Sequence, residues 1–86
     1  MGISASEPPD VTALLINDDM IRLGQALKLG NLVEDGVEAR EIIQDGLIVV
    51  NGEVETRRGR QLHPGDVIAI PSAGIAVTIE RESPGV

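Results

Sequence analysis

The 86-residue sequence has no cysteine, no phenylalanine, tyrosine or tryptophan, and only one histidine. Without cysteine there is no disulfide framework and no thiolate metal site, and His63 alone cannot build a zinc centre. The lack of aromatic rings removes the platforms on which single-stranded nucleic acid usually stacks its bases. It also leaves Leu, Ile, Val and Ala to form the core. Apolar runs are short: the four residues Leu47 to Val50 are far below the ~20 needed to span a bilayer. Met1 to Asp10 lacks the basic start and apolar stretch of a secretory leader. Together these absences predict a soluble, cytoplasmic protein with no cofactor and no membrane partner.

Positive charge is also scarce. Seven Lys and Arg residues face fourteen Asp and Glu, a net charge of −7. Polyanion binding is dominated by phosphate neutralisation, so indiscriminate attraction to nucleic acid is excluded and any such site must be local. The bases are in fact clustered. Six of the seven lie between residues 20 and 66, and Arg57, Arg58 and Arg60 form a cationic knot.

A chain of this length buries only about 60 to 65% of its unfolded surface, which suits one modest domain. We expect that domain over residues 11–82, with a disordered lead-in over 1–10 and a frayed tail over 83–86. Val11 to Asn17 reads as a strand with apolar residues on both faces, closed by Asn17, Asp18 and Asp19 as turn and helix-start residues. Leu23, Ala26 and Leu27 mark one face of a short helix over 21–29. Gly24 weakens it by ~1 kcal/mol relative to alanine, and Gly30 and Asn31 can end it.

A second helix over 36–45 is more strongly signalled. Asp35 and Glu38 have capping-box spacing, with both carboxylates at the favourable end of the helix dipole. Ala39, Ile42 and Ile43 give its buried face, and Gly46 followed by Leu47 suits a Schellman ending. Beyond it, Leu47 to Val50 and Glu53 to Thr56 form a hairpin about Asn51-Gly52, a dipeptide suited to a turn with positive φ at both central positions. Pro64-Gly65-Asp66 makes another turn, and Val67 to Ile70 and Ile75 to Glu80 are further strands. The fold class is α+β, two short helices packed on a small, mostly antiparallel sheet.

Several of these features recur together. Leu27-Lys28-Leu29, Gly36, Glu38-Ala39-Arg40, Ile43, Gly46, Val49 through Glu53, Glu55-Thr56-Arg57, Leu62 and Pro64 through Ile68 resemble, in order and spacing over about residues 21–70, the S-four (αL-motif) RNA-binding domain. The leading strand and Glu55-Thr56-Arg57 look especially like its free-standing bacterial members. The resemblance implies a monomeric, non-enzymatic protein that presents one surface to structured RNA, rRNA or tRNA, in association with the ribosome. Carried over by position, its RNA contacts are Lys28, Arg40, Asn51 and Arg57, with Arg58 and Arg60 extending the surface. Arginine suits that task, because its planar fork pairs with phosphate oxygens two at a time. One departure stands out: relatives often carry serine where this chain has Asp35, whose carboxylate repels phosphate.

Alternative readings also have a basis in the residues. Arg57, Arg58 and Arg60 could be a solvated loop paired with Glu53 and Glu55, each pair worth ~0 to 1 kcal/mol. Asn51 and Gly52 have a sufficient role as turn formers. A protein-interaction module of the same fold accounts for the net charge. Val50-Asn51-Gly52-Glu53 followed by Gly65-Asp66 also resembles β-grasp sulfur carriers, but the chain ends Pro84-Gly85-Val86 rather than Gly-Gly, and its helices precede the motif.

Overall fold

The computed structural model describes residues 10–82. The expected lead-in and tail lie outside them, apart from Asp10, which begins the first strand. The order is β1 (Asp10–Ile16), β2 (Ile21–Arg22), α1 (Leu23–Leu29), α2 (Gly36–Gln44), β3 (Val49–Val50), β4 (Glu53–Val54), β5 (Gln61–Leu62), β6 (Val67–Ile70) and β7 (Ile75–Arg81). Five strands form one sheet in the order β1-β7-β6-β3-β4, and β2 pairs with β5 in a separate two-stranded ribbon. Among the described residues only the β1–β7 pair is parallel; β2–β5, β3–β4, β3–β6 and β6–β7 are antiparallel. The architecture is therefore α+β with a mostly antiparallel sheet.

The apolar pattern places one core between helices and sheet. Leu23 and Leu27 of α1, Ile43 of α2, and Ile48, Leu62, Ile68 and Ile79 from the strands and their flanks are all essentially fully buried. Each such side chain contributes about 1.5 to 3 kcal/mol by leaving water. In β1, Leu14 and Ile16 face this core while Ala13 and Leu15 are exposed, so that strand is apolar on both faces but buried on one.

The helix ends follow the local code closely. The Asp35 carboxylate accepts from the Glu38 N–H at 2.9 Å. The Glu38 carboxylate reaches back one residue further than the standard box, to the N–H of Glu34 at 2.7 Å. At the other end Gly46 has φ 75°; its N–H bonds to the carbonyl of Ile43, and that of Leu47 to Ile42. These are the two bonds of a Schellman ending, with Asp45 as cap rather than as the last helical residue. Helix α1 ends similarly. There Asn31, at φ 58°, takes the left-handed position instead of Gly30.

The start of α1 corrects the expectation of a helix from residue 21. Ile21 and Arg22 pair with Leu62 and Gln61, a partnership invisible in the local pattern because its two halves are some forty residues apart. The helix begins at Leu23, and Arg22 is an N-cap without a side-chain cap bond. The turn over Asn17 to Asp19 closes β1 but does not start a helix.

Candidate nucleic-acid interface

The arginine loop follows directly from the end of β4. The expected strand to Thr56 stops at Val54, and the Glu55 N–H makes one more bond, to the Ile48 carbonyl. That bond draws Glu55 inward until only 6% of its surface is exposed. A buried carboxylate needs partners, and the loop supplies them. Glu55 accepts from the Arg57 backbone N–H at 3.0 Å, from Arg57 Nε at 2.9 Å and Nη2 at 3.2 Å, and from Arg60 Nη1 at 2.6 Å. The Arg57 bonds, then that from Arg60, hold its carboxyl at about 2 against the upward push of burial. Glu53 makes no ion pair among the described residues, so the loop is anchored by one buried acid, not by a fringe of surface pairs.

The same loop starts helix α1. Without a side-chain cap, the first amides of α1 need other acceptors. The Leu23 N–H bonds to the Arg60 carbonyl at 2.8 Å and the Gly24 N–H to that of Arg58 at 3.0 Å. Gly24 makes room for the Arg58 side chain rather than for the loop's backbone: a Cβ there would lie 2.8 Å from Cγ of Arg58 but 3.6 Å, an ordinary contact, from its carbonyl oxygen. The residue that weakens the helix by propensity thus sets where the Arg58 side chain lies.

Three adjoining concavities result. One lies between α1, α2 and the loop and is lined by Arg22, Lys28, Gly36, Arg58 and Gly59 among others. A second, beside α2, is lined by Arg40, Gln44, Thr56 and Arg58. The third lies on the other side of the loop, lined by Arg57, Gly59, Arg60, His63 and Asp66. No acidic side chain lines the first two. Six of the seven cations of the chain therefore line one or another of these concavities, which meet at Arg58 and Gly59; the seventh, Arg81, is paired with Asp19.

Of the residues selected from sequence, Lys28, Arg40, Arg57, Arg58 and Arg60 are brought together here. Asn51 is placed differently. Its amide Nδ2 donates to Asp66 Oδ1 at 3.0 Å, its Oδ1 accepts from the Val67 N–H at 2.9 Å, and its backbone has φ 51°. Its side chain ties the β3–β4 turn to the turn over residues 63–66. Burial pushes the Asp66 carboxyl up, but bonds from the His63 N–H and the Asn51 amide outweigh it, leaving Asp66 below its ordinary value.

Arg22 escaped the sequence reading, and Glu55 was read as a surface ion-pair partner rather than as a buried anchor, although each leaves a sign. Arg22 is a cation at a helix N-terminus, where the dipole disfavours it. Glu55 precedes two arginines at spacings that a sharp loop brings together. Among the described residues no group of acids and histidine is arranged to hold a metal ion, and no helix is long and apolar enough to cross a membrane.

This combination of two short helices, the second capped by Asp35, a hairpin and an arginine-bearing loop seated on the first helix defines a class. The chain belongs to the S4-domain family, whose model matches residues 14–79. It is similar to a probable ribosome maturation protein, RlbA, of Bacillus subtilis (strain 168). The two are 41% identical over 59 residues, which cover 69% of this chain and 83% of the relative.

Proposed function

We propose that the protein binds structured RNA, of the rRNA or tRNA class, through the cationic surface formed by Arg22, Lys28, Arg40, Arg57, Arg58 and Arg60. It acts as a monomeric, non-enzymatic component of ribosome maturation in the cytoplasm. One observation carries this reading: in a chain of net charge −7, six of seven cations line three adjoining concavities around the 57–60 loop. Membership of the S4-domain family and the name of the Bacillus relative support it. Acids elsewhere limit non-specific attraction, so binding is selective and its strength comes from a few phosphates.

The test is filter binding to rRNA and tRNA over a range of salt concentrations. Replacing Lys28 or Arg58 by alanine is expected to weaken binding and to flatten the log–log salt slope by roughly 0.7 to 0.9 for each phosphate that is no longer neutralised. An absence of binding at low salt to any structured RNA refutes the proposal.

A second reading, a protein-interaction module, draws on the concavity lined by Leu15, Met20 and Leu29, where Leu15 and Leu29 are more than half exposed. It requires a protein partner that co-purifies after nuclease treatment. A partner that disappears with the RNA counts against it.

A further inference from the structure

The five-stranded sheet ends differently on its two sides. Its β4 edge is two residues long and carries Glu53, the short, charged form that resists further pairing. The other edge is β1, seven residues long, with neither charge nor proline from Val11 to Asn17. The Glu82 N–H bonds to the Ile16 carbonyl, so Ile16 turns its peptide groups toward β7, and the alternation of a strand turns those of Ala13 and Leu15 away. Among the described residues no backbone group outside the sheet bonds them. Beside this edge runs a groove of about 400 Å³ walled by Leu15 and Ile16 of β1 and by Met20, Ile21 and Leu29. Leu15 and Ile16 belong to opposite faces of β1, so the groove lies at the strand's edge and not over the sheet. Its rim is acidic. Asp18 lines it, Glu80 is the register partner of Leu15, and the Glu82 amide bonds Ile16; Arg81, the base among them, is paired with Asp19.

We propose that β1 receives an extended, lysine- or arginine-bearing segment of another protein, which adds a strand to the sheet and sets an aliphatic side chain between Leu15 and Leu29. Each observation selects one property of the occupant. Unpaired main-chain groups along the edge call for extended backbone, the groove for aliphatic side chains at alternate positions, and the rim for positive charge. A second copy of this chain lacks the last property: two edges with the same acidic rim, on molecules of net charge −7, repel each other. Lys28 lines the concavity toward α2 while Leu29 lines this groove, so a docked strand leaves that concavity open. The proposal rests on the protein-contact reading above, whose partner it specifies, and not on RNA binding.

The probe is a short synthetic peptide in which valine alternates with lysine, titrated to millimolar concentration into nitrogen-15-labelled protein and followed by amide chemical shifts. Its controls are the same peptide with glutamate for lysine, and two versions N-methylated at the valines or at the lysines, whose amides point to opposite sides of a strand. Saturable shifts are expected at Ala13, Leu15, Met20 and Leu29, with the lysine peptide at least about tenfold tighter than the glutamate one. One N-methylated version should lose binding and the other keep it, the signature of pairing along one edge. Leu29→Ala should weaken the lysine peptide about threefold or more, and Glu80→Gln about two- to fivefold at low salt; both side chains are exposed, and thermal melts confirm that each variant is folded. No saturable binding, equal binding of the glutamate peptide, the same response to both N-methylated versions, shifts centred on the acidic start of α2, or a Leu29→Ala protein that binds like wild type each overturns the inference. A dimer of the protein alone that Leu15→Asp dissociates also overturns it, by making a second copy the occupant. The protein-contact reading is judged separately, by co-purification, and survives such a failure if a partner of other chemistry is retained after nuclease treatment.

Discussion

Replacing Glu55 by glutamine removes one charge, keeps the side-chain shape, and tests how the arginine loop is held. The carboxylate accepts three bonds from Arg57 and one from Arg60. Its fall from 4.5 to about 2 corresponds to about 3 kcal/mol between its protonation states. That figure is an upper bound for the substitution, because Arg57 and Arg60 keep 73% and 32% of their side-chain surface in solvent and can rehydrate. We expect a destabilisation of about 1.5 to 3 kcal/mol at neutral pH. For a domain of this size that lowers the melting temperature by roughly 6 to 24 °C.

Because the folded-state value is depressed, the contribution is fully present above about pH 4.5 and is lost as pH falls toward about 2. The gap between wild type and variant should therefore narrow over that interval. Far-UV circular dichroism is the suitable signal, since the chain has no aromatic fluorophore. Equal melting temperatures at pH 7, or a gap as wide at pH 3 as at pH 7, would refute the buried-anchor account.

Two further substitutions separate scaffold from interface. Gly24→Ala gains about 1 kcal/mol of helix propensity but sets a Cβ 2.8 Å from Arg58 Cγ; it should yield no net stabilisation in thermal melts and should weaken RNA binding by displacing Arg58. A variant about 1 kcal/mol more stable with unchanged affinity contradicts this. Asp35→Ser keeps a good N-cap, so stability should stay within about 0.5 kcal/mol; removing a carboxylate near the Lys28 groove should tighten RNA binding about two- to fivefold at low salt, and unchanged affinity in the filter assay counts against that groove as the interface.

What could be read from the sequence was what is encoded locally. Asp35, Glu38 and Gly46 announced both ends of α2, and Asn51-Gly52 announced a turn with φ positive at both positions. The β2–β5 ribbon and the parallel pairing of β1 with β7 join residues far apart in the chain, and no short-range pattern specifies them. The candidate site divides the same way. Residue type and crowding marked Arg57, Arg58 and Arg60, but which concavity each of them lines depends on the burial of Glu55 and on Gly24, both set by tertiary packing. Arg22 joined the surface only through a strand pairing that the helix periodicity concealed. Asn51 was legible as a turn former, whereas its bridge to Asp66 spans fifteen residues.

The way α1 begins separates two kinds of duty within the loop. The acceptors for Leu23 and Gly24 are main-chain carbonyls of Arg60 and Arg58, which any amino acid at those positions would provide. The side chain at 60 is committed to Glu55, but that at 58 has no hydrogen-bonding or ion-pairing duty among the described residues. Position 58 is thus a place where the side chain can be exchanged while the helix start is preserved. A new side chain there changes the face that the loop presents, and the peptide behind it goes on holding the helix.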